Sequence, residues 1–465
     1  MTIATTRIER DSMGEMDVPV DAMYGAQTAR AVKNFPVSGI RFPAVFIAAL
    51  GQIKKAAALV NGQLGGLDET RKKLIIAAAD EVIAGLWNEQ FVLDIFQTGS
   101  GTSTNMNANE VIAHRCAQLN AGIMVHPNDH VNKGQSSNDV IPTAMHLASM
   151  DVLQHQLMPA LLHLHATLNA KAQETADVLK IGRTHLMDAT PITLGQEISA
   201  WARQVELGMA RLESVMPRLC ELAQGGTAVG TGLNTHVDFG GLMAKQLSDA
   251  YNIPFVEAKN HFEAQAAQDV IVELSGQLRT LAVSLVKIAN DVRLLNAGPR
   301  CGLGEINIPA VQPGSSIMPG KVNPVIAESL AQVCAQVMGN DAAIAFGGAS
   351  GLLDLNVMLP MMTHNILQSQ QLLANACQIF ADRCIAGLTP NVEHCRKQIE
   401  WSMGMVTSLA PVIGYDQAAK LAKQAMIEHK TVRQLCEEQQ VLPIAQLNML
   451  LDPTSMLHPT ASKQG

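Results

Sequence analysis

From residue 44 onward, apolar positions recur at intervals of three and four, which is the helical period. Ile47, Leu50 and Ile53 share one face, and the run from Asp68 to Leu86 opens with acids suited to a helix N-terminus. The pattern is strongest after Asn138. Met145, Ala148, Val152, Leu161, Leu164 and Leu168 recur along a run from Asp139 to about Leu179, and comparable runs cover 193–222, 264–295, 324–345 and 358–384. Helices this long, apolar on more than one face, cannot be satisfied by one neighbour and predict a bundle that continues across subunits. Glycine-rich connectors at 225–234 and 298–314 read as turns at the bundle ends. Residues 1 to about 40 have no clear period and read as an irregular entry. Beyond about Asn391 the helices shorten, and Thr431 with Gln434 forms a capping-box pattern. The expectation is a mainly helical, all-α chain in three parts: 1–138, 139–390 and 391–465.

Composition narrows the function classes. At 465 residues the chain exceeds what one core usually holds. Hydrophobic residues make up 48% against 16% charged, and the mean hydropathy is +0.13, which predicts subunit-facing helix surface and hence oligomerisation. With 3% aromatic residues and a net charge of −8, neither a stacking platform nor a basic footprint for nucleic acid is present. The polar opening, with Arg7, Glu9, Arg10 and Asp11, does not read as a secretory segment, and the uninterrupted apolar runs are too short to suggest a membrane span. A cytoplasmic protein is expected. The eight cysteines are scattered without zinc-like spacing, so they read as buried free thiols, and neither metal nor cofactor is expected.

Four polar segments interrupt the helical background: 98–107 (TGSGTSTNMN), 126–138 (HPNDHVNKGQSSN), 182–197 (GRTHLMDATPITLGQE) and 314–324 (GSSIMPGKVNP). In the last, Gly314 and Gly320 give permissive backbone, Ser315 and Ser316 give small hydroxyls, and Lys321 gives a cation for an anionic substrate. That is a nucleophile or base beside an electrostatic clamp. A glycine–serine linker with a chance lysine fits the composition as well.

Together the four segments resemble the fumarase/aspartase superfamily, whose signature is GSS-x-MP-x-K-x-N, along essentially the whole chain. Within it the details resemble class II fumarases: TGSGT at 98–102, Thr184-His185, Ser136-Ser137-Asn138, and Gly320 before Lys321. The resemblance implies a three-domain helical subunit and a homotetramer whose central long-helix bundle is built from four chains. It also implies active sites where three subunits meet. One chain would give Ser100, Thr102, Ser136, Ser137 and Asn138, a second Thr184 and His185, and a third Ser315, Lys321, Asn323 and Glu328. His126, Asn128 and Asp129 resemble a second carboxylate-binding turn of that family, and a plain Pro-Asn-Asp turn explains them too.

The implied reaction is the reversible hydration of fumarate to L-malate. Run backwards, it removes a weakly acidic proton beside a carboxylate and expels hydroxide from the next carbon, so donors and a cation are needed where charge develops. Lys321 and Asn323 suit that role. In the family the serine corresponding to Ser315 is the base. Its alkoxide needs stabilisation, which Lys321 and loop amides can give. A histidine titrating near neutrality suits protonation of the leaving hydroxide, which makes His185 the candidate acid, oriented by Glu328. The small hydroxyl and amide residues would hold the two carboxylates of the substrate. Three alternatives stay open: an aspartate ammonia-lyase, a hydratase of another small dicarboxylate, and a non-enzymatic homologue.

Overall fold

The computed structural model describes residues 6–459, and within them the chain is mainly helical with four two-stranded sheets. The long runs read from the sequence are the helices Ser137–Val152 with Met158–Glu174, Leu194–Leu219, Asp269–Leu295, Val325–Gly348 and Leu359–Phe380. Two of these runs carry a π-helical turn, at Leu153–Leu157 and at Ala381–Ile385. The first helical run also stops at Glu174 rather than near Leu179. Leu179–Thr184 is instead the first strand of an antiparallel hairpin with Met187–Thr193.

The chain divides into two compact units. The first comprises Met1–Pro159, Met209–Thr280 and Ala335–Ala374. Its core helix, Ala44–Gln63, is long and apolar enough to cross a membrane by length and composition, but 67% of that stretch is buried. It packs closely on Glu69–Ile83, since a Cβ on Gly51 would lie 2.9 Å from Ile83. Asp68 caps the second of these helices, accepting from the N–H groups of Thr70 and Arg71. The entry expected to be irregular is regular from Thr6 onward, its residues 1–5 lying outside the described residues: Thr6–Asp11 and Gly14–Pro19 form a hairpin, followed by the helix Ala26–Asn34. That helix has no side-chain cap of its own. The buried Glu110 carboxylate supplies one from a distance, accepting from the N–H groups of Gly25, Gln27 and Thr28 and from the Thr28 hydroxyl.

The second unit comprises Ala160–Gly208, Leu281–Cys334 and Asn375–Gly465. Its C-terminal helices close over a core of Ile399, Leu409, Leu421, Val432, Leu435 and Leu447, against which Leu179 packs. Thr431 and Gln434 form the capping box that their spacing predicts. All eight cysteines are free. Seven are buried, whereas Cys301 is exposed because it lies in the 298–304 turn outside any packed helix.

Candidate active site

In the first unit, two helix N-termini gather small polar groups. Gly101 precedes the helix Thr102–Leu119 with φ 73°, and a Cβ there would lie 2.8 Å from Ile141, so glycine is required by both backbone and space. Across this turn Ser100 and Thr102 share a hydrogen bond of 2.8 Å. Beside it, Ser136 caps the helix Ser137–Val152 in a capping box with Asp139. Asp139 is buried and accepts from the N–H groups of Ser136, Gly225 and Thr227 and from the Gln224 side-chain amide, which ties this N-terminus to the 224–227 connector. Burial pushes its carboxyl up to about 7. Asn138 donates to the Ala228 carbonyl at 2.7 Å, and Ser137 Oγ accepts from Asn105 Nδ2 at 3.1 Å. Ser100, Thr102, Ser136, Ser137 and Asn138 are thus brought onto neighbouring turns.

His126, Asn128 and Asp129 form a separate feature of the same unit. The ring of His126 caps the π-helical turn Pro127–Val131, its Nδ1 accepting from the N–H groups of Asn128 at 3.2 Å and Asp129 at 3.1 Å. His126 and Asn128 also line a cleft of about 590 Å³ together with Glu9, Arg10, Asp11 and His114.

In the second unit, Thr184 and His185 are exposed at the tip of the 179–193 hairpin. His185 and Leu186 are the two central turn residues, with φ 54° and 62°, a conformation that hairpin turns usually assign to Asn-Gly. The root of the hairpin is held by a buried ion network. Lys180 lies 2.9 Å from Glu197 and 3.2 Å from Glu305, and Arg183 donates to Glu305 at 2.7 Å. Two cations face two carboxylates there, so charge is compensated where water is scarce.

The 314–323 loop of this unit is pinned at its neck by Gly314, whose N–H donates to the Lys321 carbonyl. Ser315 Oγ accepts from the N–H groups of Ile317 at 3.2 Å and Met318 at 3.0 Å. Ser315 and Lys321 line one depression of about 440 Å³. Lys321 is exposed and has no ion pair among the described residues, so its cation is available to a ligand. Glu328 occupies the first turn of Val325–Gly348. Among the described residues no hydrogen bond or ion pair joins His185 to Glu328 within the chain.

Sequence reasoning passed over Lys54 and the ion network of Lys180, Arg183, Glu197 and Glu305. Lys54 leaves one signal: a lysine in an otherwise apolar stretch of the helix Ala44–Gln63, where it is fully buried.

The family model described as lyase matches residues 14–339, and the model described as fumarase C C-terminus matches 405–458. A fumarate hydratase class II of Corynebacterium glutamicum is 54% identical over 435 residues, covering 93% of this chain and 92% of the relative. One from Halobacterium salinarum is 56% identical over 456 residues, covering 97% of each. Among solved structures, a recombinant class II fumarase from Schistosoma mansoni superposes with a TM-score of 0.96 at 40% identity, covering 98% of this chain and 100% of its own.

Proposed function

The chain belongs to the class II fumarate hydratases and is a hydro-lyase interconverting fumarate and L-malate; from that premise we propose how its polar groups divide the work. In the dehydration direction Ser315 Oγ, as alkoxide, takes a proton from the carbon beside one carboxylate. The C–H electron pair passes into that carboxylate to give an aci-carboxylate. The pair then returns to form the carbon–carbon double bond as the neighbouring C–O bond breaks. Hydroxide leaves as water with a proton from His185, directly or through one water.

The observation that carries this reading is the environment of Ser315 Oγ. Two backbone N–H groups already point at the oxygen that must bear the charge, and Lys321 borders the same depression. The donors are the backbone amides of Ile317 and Met318, two and three residues beyond Ser315 in the same loop. Lys321, with the second N–H of Asn323, would meet the aci-carboxylate. Ser100, Thr102, Ser136, Ser137, Asn138 and Thr184 would hold the substrate carboxylates through neutral hydrogen bonds. Glu328 would orient His185 from another subunit of a homotetramer, with three chains meeting at each site. His126, Asn128 and Asp129 would form an accessory carboxylate turn.

Steady-state turnover of L-malate and L-aspartate by one preparation tests the assignment. Malate turnover without aspartate turnover is expected, and the reverse would move the chain to the ammonia-lyases.

A further inference from the structure

Lys54 has 0% exposure, and its ammonium touches no carboxylate among the described residues. Its three donors go to three side-chain amide oxygens: Asn105 Oδ1 at 2.7 Å, Asn132 Oδ1 at 2.9 Å and Gln135 Oε1 at 3.0 Å. A neutral amine has only two hydrogens, so this geometry calls for the charged form. Burial acts against that form and the nearby Asp139 charge favours it.

A cation in this position decides which way each amide faces. With Oδ1 of Asn105 turned to the lysine, its Nδ2 must point away, and it donates to Asn132 Oδ1 at 3.2 Å and to Ser137 Oγ at 3.1 Å. Asn105 is itself fully buried, so the amide has no alternative partner in water. Ser137 Oγ is thereby an acceptor on its inner side, and its own O–H proton finds no acceptor among the described residues. That hydroxyl is left to donate outward. A carboxylate oxygen, which can only accept, is its chemical complement.

We propose that Lys54 is a positioning residue for substrate binding: through Asn105 it holds Ser137 as a hydrogen-bond donor to a substrate carboxylate. The proposal rests on Ser137 contacting substrate. Lys54 acts without touching the ligand, and a chain of polarised hydrogen bonds in a low-dielectric interior carries its effect.

The test is a double-mutant cycle on malate kinetics with thermal melting of every variant. Asn105→Leu keeps the side-chain volume and removes the relay, Ser137→Ala removes its end, and Lys54→Met removes its source. Each single variant should raise KM by about tenfold or more with a smaller change in kcat, as expected for losing one hydrogen bond to a charged group. Asn105→Leu combined with Ser137→Ala should be no worse than the worse single variant, because both cut one path. Lys54→Arg should recover part of what Lys54→Met loses. Independent, multiplying effects of Asn105→Leu and Ser137→Ala would overturn the relay. So would a raised KM in Ser137→Ala with parental KM in Asn105→Leu. An unchanged KM in Ser137→Ala would instead remove the substrate contact on which the proposal stands. If Lys54→Met does not fold, the Asn105 and Ser137 cycle decides alone.

Discussion

The side-chain amide of Asn323 donates to the Gly314 carbonyl at 2.6 Å, while the Gly314 N–H donates to the Lys321 carbonyl at 2.8 Å. This pair closes the neck of the loop that carries Ser315. A Cβ on Gly314 would lie 2.4 Å from the Lys321 carbonyl oxygen, so only glycine lets the two ends approach. The loop can therefore hold its shape without help from the Ser315 side chain.

Ser315→Ala should accordingly abolish malate turnover while leaving inhibitor binding near the parental value, because the loop neck and Lys321 remain. Turnover measured beside the affinity of a dicarboxylate inhibitor checks this. Residual activity within about tenfold of the parent, roughly 1.4 kcal/mol of barrier, would remove Ser315 from the role of base.

His185→Gln separates fumarase from ammonia-lyase chemistry. Glutamine can hydrogen-bond at the hairpin tip but delivers no proton at neutral pH. Malate dehydration should fall by about a hundredfold, the lower end for loss of a general acid, with much less change in inhibitor affinity. Near-parental turnover would mean that another group protonates the leaving hydroxide.

If a site draws Ser315 and His185 from different chains, two inactive variants should complement. Ser315→Ala mixed with His185→Asn, dissociated and reassembled, should regain part of the parental activity, since some hybrid sites receive both intact residues. Verified hybrid tetramers that stay inactive would argue against shared sites.

Acid stability has a readable contributor in His146, whose Nδ1 donates to the Glu221 carbonyl at 2.8 Å in the neutral tautomer. Burial, the largest cause, pushes its pKa down from 6.5 to about 4. The unfolded chain thus takes up the proton first, and this contribution to stability is present above pH 6.5 and lost as pH falls through about 4. The slope approaches ~1.4 kcal/mol per pH unit over that window. Urea midpoints at pH 7 and pH 4.5 should converge in His146→Gln relative to the parent. An unaltered difference between the two midpoints would assign the acid limb to other groups.

The helical architecture was legible because it is written in local period. The run predicted over 193–222 is the helix Leu194–Leu219, and Thr431 with Gln434 caps where its spacing says. The hairpins were not legible, for a local reason in one case. His185 and Leu186 lack the Asn-Gly chemistry that marks a two-residue turn, so 179–193 reads as a helix end and a loop. Long-range partners hide the rest. Nothing near Gly25 announces that Glu110 caps its helix, and nothing near Ser137 announces Lys54. The 314–324 loop stood out from its residues, but which of its amides reach Ser315 was not legible, because turn geometry, not composition, selects the Ile317 and Met318 N–H groups that converge there.

The hairpin tip also bears on attempts to make this protein more heat-resistant. Left-handed backbone at a non-glycine residue costs on the order of 1 kcal/mol, and the tip has two such residues in succession. Any selection that scores folding alone would rewrite 185 and 186 toward Asn-Gly. Only position 186 can be relaxed without removing the imidazole, so if His185 is the acid proposed above, Leu186→Gly is the part of that gain compatible with turnover, and the remainder is stability forgone to project a histidine from a bend.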